Sequence, residues 1–270
     1  MCVVKRSLAG VAVLACLLLS SCTPGPSGTG GTTTTTTPGS HAPFSRPLVS
    51  IEFDDGWSSA YRNGLPVAKE FGFTPTEYII TDTAAHNDEY GTGTYMTPAQ
   101  ILDWVAQGGD IGDHTVTHPD LTALSPAAAQ AEMSTSKAYL TTLLGRAPTL
   151  FATPYCASNA TVDALASLQF EDLRNCDGPT NTAATWNRYD VHSLSVEDTT
   201  SVADIRSILA TTRATNGWTV LTWHEIGTPI DPADPTYTTS VSQFRAELQA
   251  IADSGITVVS SQQALDEERG

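Results

Sequence analysis

The stretch LVSIEFDDG, Leu48–Gly56, decides how the rest of the chain is read. Leu48–Phe53 is a short, mostly apolar run of strand length, and it runs directly into two aspartates and a glycine. Beyond it Ser59–Phe71 has a helix-like pattern, and Thr76–Ile80 reads as the next strand. The alternation then repeats. Thr97-Pro98 pairs an N-cap with a first-turn proline and opens a helix through Val105, which Gly108-Gly109 closes. Ile111 sits in a brief strand, and Ser125-Pro126 starts an Ala- and Leu-rich helix that ends at Gly145. Thr149–Ala152, the segment around Phe170–Leu173, Thr219–Trp223 and Thr257–Val259 supply further strands. Helix-like stretches near Thr161–Leu168, Val202–Thr212 and Val241–Ala252 lie between or beside them. This pattern predicts an α/β fold, a distorted or incomplete (β/α) barrel of about seven βα units with mainly parallel strands. In such folds chemistry gathers where strands end and loops begin.

The N-terminus has a different character. Lys5 and Arg6 precede an apolar run, Leu8–Leu19, which is too short to span a bilayer comfortably and suits the h-region of a secretory signal. Its end, Leu19-Ser20-Ser21-Cys22, resembles the bacterial lipoprotein signal, which implies lipidation of Cys22. Ordinary cleavage nearby with an incidental cysteine is the alternative. From Thr23 to about Pro43 the chain is Gly, Pro, Ser and Thr apart from His41 and Ala42, a composition that cannot bury enough surface to offset backbone ordering. The expected organisation is a signal peptide at 1–21, a flexible tether at 22–43 and one folded domain at 44–270.

Among 270 residues there are 13 Lys and Arg against 29 Asp and Glu, for a net charge of −16. No concentrated basic surface is available for a phosphate backbone, so nucleic acid is excluded as a partner, and anionic headgroups are disfavoured likewise. Membrane contact is expected only through the N-terminal lipid, and the domain is expected to be a monomer. Of five cysteines, Cys2 and Cys16 leave with the signal and Cys22 takes the lipid. Cys156 and Cys176 remain, and export to an oxidising compartment predicts a disulfide between them.

Four strand ends carry side chains suited to chemistry. Asp54-Asp55-Gly56 places adjacent carboxylates that repel unless a cation or proton intervenes, although a simple turn would use the same residues. Asp113-His114-Thr115-Val116-Thr117-His118 sets two imidazoles four residues apart, a spacing at which they can converge on a metal. One carboxylate from the Asp54-Asp55 pair completes three ligands with open positions, and the other is left as a base. Phe151-Ala152-Thr153-Pro154-Tyr155-Cys156 leaves an apolar strand with a proline that can aim the Tyr155 N–H into a site. Leu221-Thr222-Trp223-His224 delivers an imidazole able to act as a general acid.

Together these segments resemble the polysaccharide deacetylases of carbohydrate esterase family 4, over essentially Pro47 to the C-terminus. The resemblance implies a distorted (β/α) barrel. It implies Asp54 as general base, Asp55, His114 and His118 as metal ligands, and His224 as general acid. It also implies that the Tyr155 amide helps hold the oxyanion beside Pro154, and that Leu221 lines the acetyl-methyl pocket. The cofactor would be a divalent metal, Zn first, with Co, Ni and Mn as alternatives. The substrate would be an acetylated glycan, N-acetylglucosamine-containing polysaccharide first, at the outer face of the bacterial membrane or secreted. The rivals are an O-acetyl xylan esterase on the same fold and a catalytically impaired glycan-binding lipoprotein.

Three departures from the family pattern stand out. The arginine that usually precedes the tyrosine by three residues and orients the base is replaced by Ala152. The carboxylate that tunes the acid histidine is not evident, with Asp190 and Asp198 as candidates. Glu52 stands where Ser or Thr is usual, and alternation places it on the side of Asp54, where it can raise pKa values or join the site. Trp57 and Trp223 are taken as sugar-stacking candidates, with Tyr90 and Tyr95 nearby. Glu225, His86 and His192 receive no assignment.

Overall fold

The computed structural model describes residues 43–87, 89, 91, 93–230, 232–233 and 235–269. The signal-like segment, Cys22, the tether up to residue 42 and Tyr90 lie outside the described residues. Among the described residues, no helix is long and apolar enough to cross a membrane.

In chain order the first half runs β1 (Leu48–Phe53), α1 (Leu65–Glu70), β2 (Thr76–Ile79), α2 (Thr81–Ala85), α3 (Pro98–Ala106), β3 (Asp110–Asp113), α4 (Pro126–Leu144) and α5 (Ala160–Ser167). The second half is β4 (Thr180–Asn181), β5 (Leu194–Ser195), α6 (Val202–Thr215), β6 (Trp218–Trp223), β7 (Glu225–Ile226), β8 (Thr238–Thr239), α7 (Val241–Ser254), β9 (Thr257–Val258) and α8 (Ser261–Arg269). The helix starts follow the chemistry of their caps. Thr97 accepts from the Gln100 N–H while the Gln100 side chain accepts from the Thr97 N–H, a full capping box before Pro98. Gly145, at φ 69°, ends α4 in the left-handed conformation that glycine adopts without penalty.

β1 is the hub. It pairs in parallel with β2, β6 and β9, and β2 pairs in parallel with β3. Past β3 the sheet continues through single parallel bridges, Asp113 to Phe151, Ala152 to Arg174 and Arg174 to Val191. The last segment leads into β5, which pairs in parallel with β6 and closes the ring. The fold is thus a distorted α/β barrel. The strands expected at Thr149–Ala152 and near Phe170–Leu173 shrink to bridges partly because side chains take over ladder positions: buried Asp172 accepts the Phe151 N–H at 3.0 Å.

Strand alternation divides the core. Val49, Ile51, Phe53, Leu221 and Trp223 face the helical layer with Ile205 of α6 and Phe244 and Leu248 of α7. Leu48, Tyr78, Ala152, Trp218 and Val220 form a second cluster, to which α8 adds Ala264 and Leu265. Close approach within this interior requires Gly112, because a Cβ there would lie 2.3 Å from the Tyr78 ring. Gly112→Ala should therefore destabilise the fold by about 1–3 kcal/mol, read from urea unfolding, since fully buried Tyr78 has no room to retreat. An unchanged midpoint would show that the ring can shift freely.

Candidate active site

β1 hands the chain to Asp54, whose N–H donates to the Trp223 carbonyl of β6 at 3.0 Å. Asp55 and Gly56 follow at φ 75° and 76°, turning the loop back over the strand end. Gly56 N–H donates to Glu77 Oε1 at 2.9 Å. Burial pushes the Glu77 carboxyl well above its usual range, and this contact opposes the shift.

Left-handed backbone concentrates around this rim. Of the six non-glycine residues with positive φ among the described residues, Asp55, Thr115, His118, Tyr155 and Cys156 lie at or beside the site. Such conformations cost of order 1–3 kcal/mol each and persist where the surroundings enforce them. The sixth, Asn216, ends α6.

His114 follows β3, and its Nδ1 lies 2.8 Å from the Ala152 carbonyl. A carbonyl only accepts, so Nδ1 carries the proton and the Nε2 lone pair is turned toward Asp55. His114 Nε2 and His118 Nε2 lie 3.6 Å and 3.4 Å from Asp55 Oδ1. Metal bonds of about 2.0–2.1 Å to a tetrahedral ion would space their donors by about 3.4 Å, so the set fits a divalent metal. Two further observations agree. Asp55 Oδ1 is buried with no hydrogen-bond partner, while its Oδ2 is fixed by the Trp57 indole N–H at 3.0 Å. Burial, helped by His114, lowers the His118 pKa to about 4, which leaves a neutral imidazole at pH 7.

Asp54 has a different partner. Arg174 Nη2 donates to its Oδ1 at 2.5 Å, across 120 residues of sequence. Burial works against the Asp54 carboxylate, yet Arg174, with His114 and His224, outweighs it and holds the pKa below the ordinary value. The two adjacent aspartates are therefore separated in role, one facing the imidazoles and one held by a guanidinium. His224 lines the same cavity, about 340 Å³ in volume, with Asp54, Asp55, His114, His118, Thr153, Tyr155, Arg174, Ser195 and Tyr237. Cys156 and Cys176 are disulfide-bonded in its wall, with Cα atoms 5.3 Å apart. The bond joins the Tyr155 loop to the segment that carries Arg174.

Several expected residues stand elsewhere. Leu221 and Trp223 are fully buried on the helix-facing side of β6, and the Trp223 indole donates to Glu247 at 2.9 Å. Neither can line an acetyl pocket or stack on a sugar, because His224 is the rim residue and alternation turns Trp223 away. Thr222, paired with Glu52 across the sheet, holds the barrel-facing position instead. Pro154 is buried at the start of the turn that presents Tyr155. Trp57 has one ring face stacked on Tyr95, 4.5 Å between centroids, and borders an adjoining hollow with Asp55 and His118. Neither Asp190 nor Asp198 reaches the acid histidine: among the described residues, the buried Nδ1 of His224 has no hydrogen-bond partner. Asp190 accepts from Asn175, and Asp198 lines a separate hollow beside the start of α6. His86 pairs with Asp82 at 2.7 Å on the surface, and Glu225 accepts from the Ile230 N–H. Sequence reasoning missed Arg174, whose single signal was a basic residue in the strand-like segment after Phe170.

A distorted α/β barrel of mainly parallel strands thus gathers a His-His-Asp donor set, a separate carboxylate held by a guanidinium and an imidazole at its strand ends. Residues 41–172 match the family model described as polysaccharide deacetylase. It is 29% identical over 110 residues to YxkH of Bacillus subtilis, whose name places it in the same family, and 28% identical over 111 residues to a chitin deacetylase of Pestalotiopsis. Each alignment covers 41% of this chain, and the chain spans only 37% and 35% of those two proteins. The Xyl-CE4 domain of a multidomain xylanase, from the hindgut metagenome of Trinervitermes trinervoides, shares the fold. There the TM-score is 0.57 at 19% identity, covering 83% of this chain and 92% of that one.

Proposed function

We propose that this protein is a metal-dependent deacetylase that removes N-acetyl groups from an N-acetylglucosamine-containing glycan at the outer face of the bacterial envelope. The observation that carries the reading is the division of labour between Asp54 and Asp55: one carboxylate is paired with Arg174, and the other turns an unpartnered oxygen toward two imidazole nitrogens. A divalent ion, zinc first, held by Asp55, His114 and His118 would supply Lewis acidity at the acetyl carbonyl. Asp54, ionised and fixed in direction, takes a proton from the attacking water. The Tyr155 N–H donates to the carbonyl oxygen as it gains charge, and His224 gives a proton to the departing amine.

Amide substrates are supported over esters by the similarity to a chitin deacetylase. The glycan-binding alternative has two motives, the missing arginine at Ala152 and the obscure carboxylate partner of the acid histidine; Arg174 answers the first, while the His224 Nδ1 has no hydrogen-bond partner among the described residues. Export is supported by the signal-like N-terminus, and the Cys156–Cys176 disulfide suits an oxidising compartment. A lipid on Cys22 and the Thr-rich tether would hold the domain near envelope glycan as a monomer. Chelation of the purified chain is expected to abolish acetate release from N-acetylglucosamine oligomers, and added zinc to restore it. Release from acetylated xylan alone would replace the amide reading with the ester one, and no release from either substrate would overturn both.

A further inference from the structure

Glu52 lies in β1 two residues before Asp54, 1% exposed, in a barrel where an unpaired carboxylate would be costly. It is not unpaired. Its Oε1 accepts from the Tyr78 hydroxyl at 3.2 Å and from Ser261, the first residue of α8. Its Oε2 lies 2.8 Å from Arg174 Nε, a charge contact whose N–H is not aimed along the line. The same guanidinium meets Asp54 through Nη2, Ser193 Oγ through Nη1 at 3.1 Å, and the Tyr78 ring face at 4.7 Å. Every edge of Arg174 is occupied, so its aim at Asp54 depends on how firmly the opposite edge is held.

We infer that Glu52 is a positioning residue: it anchors Arg174 from the side remote from the cavity, and through Arg174 it fixes the direction of Asp54. Tyr78 and Ser261 seat Glu52 in turn, so the start of the C-terminal helix is coupled to the base without touching it. An isolated buried ion pair needs further hydrogen bonds to offset desolvation, and Glu52 supplies the second anion and the route to two hydroxyl donors. The inference rests on Asp54 being the base.

The test uses the zinc-loaded full chain acting on N-acetylglucosamine oligomers. Glu52→Gln should lower kcat by about 10- to 100-fold, with KM and zinc content unchanged. In an Arg174→Lys background, where the three-way contact is already lost, the same substitution should cost less than about twofold, because residues acting as a unit are not additive. Equal losses in both backgrounds, or a loss confined to KM or zinc content, would overturn the inference. If Glu52→Gln does not fold, Ser261→Ala removes one donor to Glu52 and should show the same dependence on Arg174 with a smaller loss. If the wild-type chain releases no acetate, the reading of Asp54 fails on its own. The claim about Glu52 is then decided by the structure of Glu52→Gln: Arg174 swung off Asp54 Oδ1 supports it, and an unchanged contact overturns it.

Discussion

Asp54→Asn is expected to lower kcat by about 10³-fold or more while leaving zinc content at the wild-type value. Asparagine keeps the shape of the carboxylate and still meets the Arg174 guanidinium, but it cannot take a proton from water. The metal set lies on the neighbouring residue and on two histidines. His114 is oriented by the Ala152 carbonyl and Asp55 by the Trp57 indole, so neither depends on Asp54. Arg174 retains Glu52 as a counter-charge, which protects the fold from an isolated buried cation. His114→Ala differs in kind and should lose zinc and turnover together. Initial rates of acetate release and metal analysis of the same preparations separate the two. A near wild-type rate in Asp54→Asn would remove Asp54 from the role of base.

The parts of this site legible in sequence are those built by neighbours in sequence. The run Leu48–Phe53 announces a buried strand, and carboxylates at its end are bound to reach a barrel rim. His114 and His118 converge because four residues separate them, and the tight turn between them depends on Thr115 and His118 in left-handed conformations. The parts that stayed hidden depend on pairing across the ring. Ala152 leaves the base apparently without an orienting cation, yet the next segment around the barrel supplies Arg174, bridged to Ala152 itself. Nothing within a few residues of either position encodes that contact, which is a property of strand neighbours. Face parity was the other gap. Counting along Leu221-Thr222-Trp223-His224 without the register of β6 against β1 leaves the inner face unassigned, and pairing of Thr222 with Glu52 decides it. Strands of two residues, such as β5, are too short for periodicity to show.

Arg174→Ala should reduce kcat/KM by about 10²- to 10³-fold, through the aim of the base and through its charge. The sign of the pH effect follows from the balance at Asp54. Burial alone favours the protonated acid, and Arg174 is the largest influence that opposes it. Without Arg174 the Asp54 pKa rises, the base is ionised only at higher pH, and the acidic limb of the kcat/KM profile moves upward. A loss of activity with no movement of that limb would show that Arg174 acts on packing alone. Because removal leaves Glu52 and Asp54 buried without their cation, a stability loss of about 3–5 kcal/mol is expected as well, so the profile is best taken at low temperature with folding checked by circular dichroism. The bridge between Ala152 and Arg174 offers a sharper arm. Arg174→Ala combined with Ala152→Arg returns a guanidinium to the barrel one strand away, at the position where the family pattern places it. Recovery of part of the lost kcat/KM, with the acidic limb returning toward its original position, is the expected outcome. It would mean that the chemistry requires a cation against Asp54 and is indifferent to the strand that supplies it. Failure in a folded double variant would instead mean that the seat formed by Glu52, Tyr78 and Ser193 is specific to the path taken by Arg174.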